Sequence, residues 1–323
     1  MKFKLSEIKF AHIIIILLTL ISQRIVYNRI IYPIPETRIG FEESILSGGA
    51  NEPYQYRVMK PLLGKFFGVL IRPVVKDKIR NHLAAYKILS YIVFFLLYFL
   101  FYIFLRNFYT EITSVCGLLL LQIVIPLSIT SHWQEGDFIT AVFYLAGLVL
   151  IFKNKEHFLP LVVLIGVLNR DQIIYVAVFY IAYLLEQKKL FKAKSIIIIA
   201  SCAIAFGISY YGLRLYFGFK PDYATVVFNI QSNITHWTSI SRLWAEQVLI
   251  FVILCIIVYK KSRLFFKYSF LSLILYTILF FLKGIMGELA KYLPAYIIMI
   301  SMGIQLFNKE FTIDNKLHKA GGN

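Results

Sequence analysis

The run YIVFFLLYFLFYIFL, Tyr91–Leu105, contains no charged residue, and FLSLILYTILFFL, Phe270–Leu282, is a second run of the same kind. With their flanks, such stretches are long enough to cross a hydrocarbon layer of about 30 Å. Hydrophobic residues make up 59% of the 323 positions and charged ones 16%, and the mean hydropathy is +0.72. A soluble domain of this length has no core large enough to hide that much apolar surface. The fold class that follows is all-α and membrane-embedded, a polytopic helical bundle.

Ten apolar segments can be counted, at about 9–32, 83–105, 115–130, 138–152, 158–168, 172–185, 195–213, 246–259, 264–282 and 292–307. The first follows MKFKLSEIKF, a basic start like that of a signal sequence, but no small-x-small cleavage site comes after it, so it reads as an uncleaved first helix. Phe158–Leu185 is decisive for the topology. As one helix it would be about 42 Å long, too long for an untilted span. The polar triplet Asn169-Arg170-Asp171 interrupts it, which predicts two short helices forming a hairpin. Without repeats, residues 1–310 read as a single transmembrane domain with outer loops at 33–82 and 214–245, and 311–323 as a cytoplasmic tail.

The net charge of +17 would suggest nucleic acid in a soluble protein, but here the basic residues mostly flank apolar segments, where they set topology. No nucleic-acid partner is expected. Lys153 and Lys155, Lys188 to Lys194, and Lys260 to Lys267 all fall in loops that this scheme puts inside. The expectation is a multi-pass protein of the inner (plasma) membrane with both termini cytoplasmic. The exception is the outer loop 33–82, which is also basic, and its second half reads as amphipathic segments along the headgroups. Cys116, Cys202 and Cys255 lie in apolar runs, which argues against disulfides and metal ligation.

With this topology the acids, His, Trp, Arg and Asn collect on the outer face. Glu42, Glu43, Glu52, Glu135, Asp137, Asp171 and Glu288 are candidate bases or partners of a nearby Arg, although any one of them is ordinarily a solvated loop acid. Asp171 stands out, because an ionisable residue between helices too short to span lines a cavity or is neutralised by Arg170 beside it. Arg57, Arg170 and Lys291 supply positive charge suited to phosphate oxygens or to headgroups. His132 and Trp133 fit an interfacial belt or a sugar site. No phosphate-cradling glycine loop, nucleophile elbow or zinc spacing occurs.

PYQYRVMKPLL, Pro53–Leu63, resembles a PYxYRxLxP-like signature of bacterial membrane proteins similar to GT-C glycosyltransferases. EGDFITAVFYLAGLVL looks like the Asp-led helix of that group, and VLNRDQIIYVAVFYIAYLL like its NRE step, with Asp171 where Glu is usual. GELAKYLPAYIIM looks like its ExRxxLPxxP end, with Lys291 in place of Arg and no second proline. The resemblance implies a GT-C-like bundle that transfers sugar from a polyprenyl-phosphate donor to a glycan or lipid acceptor on the non-cytoplasmic face. It points to Glu42 or Glu43 as the essential acid, with Asp137 and Asp171 also catalytic candidates. Tyr56, Arg57, His132, Trp133, Glu135, Asn169, Arg170, Glu288 and Lys291 are the expected substrate contacts, with no cofactor and no metal. A transporter or flippase, or an O-antigen-like polymerase handling lipid-linked glycans, is the alternative.

Overall fold

A computed structural model describes residues 5–222 and 225–307, so the expected tail at 311–323 lies outside the described residues. Fourteen α-helices follow one another: α1 (Leu5–Val26), α2 (Pro35–Ser47), α3 (Met59–Ile71), α4 (Lys78–Leu105), α5 (Glu111–Ser128), α6 (Glu135–Phe152), α7 (Leu159–Gly166), α8 (Val176–Glu186), α9 (Ala193–Phe217), α10 (Val226–Thr235), α11 (Trp237–Gln247), α12 (Leu249–Val258), α13 (Leu264–Lys283) and α14 (Leu293–Gly303). Among the described residues there is no strand, and seven helices are long and apolar enough to cross a membrane. The count becomes eight if α11 and α12, bent by 49° at their junction, are one span. The chain is a helical membrane protein. Each of the ten apolar segments holds a helix, but α7 and α8 are half-length.

Local chemistry sets the ends. Pro35 opens α2, where its missing N–H costs nothing, and Gly48 closes it at φ 83°, a left-handed conformation that glycine adopts without strain. The Asp77 carboxylate accepts from Arg80 N at 2.8 Å and caps α4. Such a cap is worth about 1 kcal/mol. At 1.5 Å per residue α4 is about 42 Å long, more than a bilayer core, so its first turns project beyond the apolar layer. Helix α3 packs along those turns: Tyr86 donates to the Lys60 carbonyl at 3.3 Å and Asn81 to that of Gly68 at 3.0 Å. The other face of α3 exposes Leu62, Phe66, Val69 and Leu70, one apolar stripe at helical spacing.

The interior is greasy and aromatic. Helix α14 is buried along its whole length, and Phe108, Phe152, Phe265 and Phe266 interlock beside it. Helix α9 is peripheral and exposes Ile197, Ile204, Ile208 and Leu215, as a lipid-facing helix does. All three cysteines are free.

Helices α7 and α8 form a hairpin around Asn169-Arg170-Asp171. A Cβ at Gly147 of α6 would meet both Leu159, at the start of α7, and Val176, at the start of α8. From there α7 runs back along α6 until Asn169 reaches Gly136, while α8 descends until Tyr183 packs on Phe152. The connections then sort to two ends of the bundle. At one end Lys194 pairs with Glu156 at 2.7 Å, Arg263 with Glu186 at 2.8 Å, and Ser262 donates to Gln305 at 2.8 Å. This end carries the lysine loops. The opposite end carries the hairpin tip, the first loop and the acids Glu42, Glu43, Glu135 and Asp137.

At Gly147 α6 has no room for a side chain against α8, with Val176 Cγ2 only 2.4 Å from the position of an added Cβ. Gly147→Leu is expected to destabilise the bundle by about 1–3 kcal/mol, read as thermal unfolding in detergent. Gly207→Ala on α9, with nothing within 4 Å of its Cβ, is the control and should lose no stability.

Candidate functional site

Two buried charge clusters meet at the polar end. The first is built on α2, α3, α4 and α6. Arg38 and Glu42 are one turn apart on α2, with Arg38 Nη2 3.7 Å from Glu42 Oε1. The Arg38 side chain is fully buried; it pairs closely with Glu135 at the start of α6 and donates to the His132 carbonyl at 3.1 Å. Lys60 Nζ lies 3.2 Å from Glu42 Oε1 and 3.2 Å from Glu135 Oε2. His82 Nδ1, on α4, stands 3.7 Å from Glu42 Oε2. Burial by itself would lower the pKa of Arg38, but the charge and hydrogen bond of Glu135, followed by Glu42, outweigh it and hold the guanidinium above its ordinary value. With His82 neutral, two acids and two bases cancel.

Glu42 is the acid of this cluster that reaches open space. It lines a cavity of about 760 Å³ together with Glu43, His82 and a rim of Lys65, Arg72, Lys76 and Lys78. Its Oε1 is turned to Arg38 and Lys60, and its Oε2 to His82. Glu43 sits at the same cavity but in solvent, paired with Lys78 at 2.8 Å. A larger, apolar cavity of about 1090 Å³ between α11–α12 and α13 has no acidic or basic lining residue.

The second cluster joins α6 to the hairpin tip. Asp137, almost fully buried, accepts from Arg170 Nη2 at 3.0 Å. Asn169 Nδ2 donates to the Gly136 carbonyl at 2.7 Å and to Thr140 Oγ1 at 2.8 Å. Three polar atoms here have no hydrogen-bond partner: Asp137 Oδ1, Asn169 Oδ1 and Arg170 Nε. Lys291 pairs with Glu288 at the foot of α14. Among the described residues Arg57 makes no ion pair; its guanidinium lies 5.1 Å from the Tyr54 ring. Burial, and then the like charge of Arg170, lower its pKa to about 10, so it stays charged near neutral pH.

Other expected site residues are engaged in ways the sequence did not indicate. The Tyr56 hydroxyl donates to the Gly218 carbonyl at 2.9 Å and accepts from Lys220 N at 3.0 Å, so it pins the first loop to the end of α9. Arg214 reinforces that latch, packed between the rings of Tyr56 and Tyr210 and paired with Glu52. His132 is exposed, with Nδ1 donating to the Arg29 carbonyl at 2.9 Å. Trp133 is part-exposed against Phe41 at 4.7 Å. Asp171 is exposed at the mouth of a cavity of about 30 Å³ that also reaches Arg57, Arg170 and Arg214. Glu135 is a structural ion-pair partner inside the first cluster. Arg38, Lys60, His82 and Arg214 were missed as site residues. The Arg38–Glu42 spacing of one helical turn was the one local signal available.

Among the described residues no group of three or more His, Cys, Asp or Glu side chains is placed to hold a metal ion. Comparison with known proteins gives no matching family model, no matching curated protein and no matching solved structure.

The first cluster predicts strong non-additivity. Arg38→Leu leaves two buried carboxylates short of a partner and is expected to cost about 3–5 kcal/mol, whereas Arg38→Leu with Glu135→Leu should recover most of the loss. Thermal unfolding of the wild type, Arg38→Leu, Glu135→Leu and the double variant in detergent checks this; additive losses would contradict it.

Proposed function

We propose that the chain is a membrane glycosyltransferase of GT-C type. It would transfer a sugar from a polyprenyl-phosphate donor to a glycan or lipid hydroxyl at the polar end of the bundle, the non-cytoplasmic face of the inner membrane. The observation that carries the reading is Glu42, held in a neutralised buried cluster yet opening on a cavity of about 760 Å³ whose rim carries four cationic side chains. An acid poised beside an anion-attracting space at a membrane face is what displacement at a sugar phosphate requires.

In this mechanism Glu42 takes the proton of the acceptor hydroxyl as the acceptor oxygen bonds to the anomeric carbon. The bond from that carbon to the phosphate oxygen breaks, and its electron pair leaves with the lipid phosphate. Lys65, Arg72, Lys76 and Lys78 line the same cavity and suit the departing phosphate. Arg57 and Arg170, first considered for that role, line cavities of about 30 Å³ each, which are too small for a sugar phosphate. Between the two acids left open by the resemblance, Glu42 is preferred, because Glu43 is solvated and paired with Lys78.

Transfer from a radiolabelled polyprenyl-phosphate sugar in membrane vesicles tests the assignment. Glu42→Gln is expected to lower the rate by about a hundredfold or more, the usual worth of a general base, and Glu43→Gln to leave it nearly unchanged. Full transfer by folded Glu42→Gln protein would remove Glu42 from the mechanism.

A further inference from the structure

Beside the Glu42 cavity lies a smaller one, of about 30 Å³, whose floor is made by Gly136, Asn169 and Arg170. Asn169 is 1% exposed and Arg170 5%, yet Asn169 Oδ1 and Arg170 Nε have no hydrogen-bond partner. The amide orientation is fixed: Nδ2 donates to the Gly136 carbonyl, which can only accept, so Oδ1 faces the other way. Both orphaned atoms converge on the face of Gly136. An added Cβ there would stand 3.5 Å from Asn169 Oδ1 and 3.6 Å from Arg170 Nε. One unpaired acceptor and one unpaired donor, both buried, are costly unless something fills them.

The chemistry of the missing group follows from that pair. A phosphodiester accepts but does not donate, so it leaves Asn169 Oδ1 unsatisfied, whereas a phosphate that keeps a P–OH can do both, which is why phosphate is tested separately. A hydroxyl does both, donating to Asn169 Oδ1 and accepting from Arg170 Nε. The cavity is about the volume of one water molecule, which is also the volume of one hydroxyl group. Its mouth is aromatic. Trp133, Phe41 and Tyr54 are part-exposed and packed together, with ring centroids 4.7 and 5.2 Å apart along the series. Apolar ring faces over a polar floor suit a sugar, which presents C–H on one side and hydroxyls at its edge.

We propose that this cavity is a sugar subsite, in which one ring hydroxyl sits between Asn169 Oδ1 and Arg170 Nε while the ring rests against the aromatic mouth. The proposal deepens the glycosyltransferase reading and rests on it for the source of the sugar. Lys60 joins the two places: its side chain lines this cavity, and its amine stands 3.2 Å from Glu42. Gly136 then acts as a specificity residue, since the hydroxyl occupies the space that any larger side chain would fill.

The test uses full-length protein in lipid nanodiscs, with free glucose, galactose, mannose, N-acetylglucosamine and arabinose as probes in saturation-transfer NMR. Inorganic phosphate is a separate arm. At least one aldose should bind the wild type, and Gly136→Ala and Gly136→Ser should weaken it by about tenfold or more, the worth of the lost hydrogen bonds. Both variants should melt at or above the wild-type temperature, because the added Cβ meets its neighbours at ordinary contact distances. Four results would overturn the proposal: no aldose binding to the wild type (a water-filled cavity), equal binding by the variants, Gly136-dependent binding of phosphate instead of sugar, or failure of both variants to fold. If Glu42→Gln protein transfers sugar normally in the vesicle assay, the catalytic assignment falls, while Gly136-dependent aldose binding by the wild type still supports the subsite.

Discussion

The Lys60 amine belongs to α3 and stands 3.2 Å from Glu42 of α2 and 3.2 Å from Glu135 of α6. That bridge ties three elements together at the polar end. Without it the Glu42 and Glu135 carboxylates, from α2 and α6, would be left with Arg38 alone. The bridge also fixes register. Because Glu135 begins α6, the residues one and two positions on, Gly136 and Asp137, are delivered to the hairpin tip, where Asn169 and Arg170 meet them. One ion-pair network thereby sets the positions of both candidate sites.

The hairpin tip shows why such a network is required. Irregular backbone at membrane depth is tolerated only where protein or a water-filled cavity satisfies its polar groups. Here α6 supplies the partners. The Gly136 carbonyl and Thr140 hydroxyl take the Asn169 amide, Asp137 takes Arg170, and Tyr144 donates to the Gln172 carbonyl at 2.6 Å. The first loop closes over the tip, with Met59 N donating to the Leu168 carbonyl at 3.0 Å. The tip is then anchored on three sides, and two of its residues, Asn169 and Arg170, line the smaller cavity.

The bundle was legible in the sequence because its causes are local. Apolar runs such as Tyr91–Leu105 announce spans by length alone, and Asn169-Arg170-Asp171 announces a break because charge interrupts hydrophobicity at a fixed place. The amphipathic character of α3 was legible for the same reason. The site was only partly so. Gathering the polar residues at one end followed from topology, but which acid meets which base did not. Arg38 and Glu135 are 97 positions apart, and Arg170 and Asp137 are 33 apart. Long-range ion pairs leave no periodicity to read, so nothing local links Glu135 to Arg38 and Lys60, or the Tyr56 hydroxyl to Gly218 and Lys220.

A buried set of two acids and two bases is a poor way to glue helices together. Well-packed apolar residues of similar volume hold an interface equally well or better, because the desolvation of each charge offsets most of the attraction. What the ionic set provides, and an apolar patch does not, is a carboxylate kept in one orientation with its charge balanced before any substrate arrives. That is preorganisation in the electrostatic sense: the dipoles and charges need not rearrange when a proton or a phosphate moves nearby. It also explains the division between the two oxygens of Glu42. Oε1 faces the charges of Arg38 and Lys60, and Oε2 faces His82 at the cavity. Since Lys60 also walls the smaller cavity, any displacement of α3 shifts the acid and the Gly136 subsite together. The two therefore function as one site, and a substitution that loosens α3 from α4 is expected to impair both.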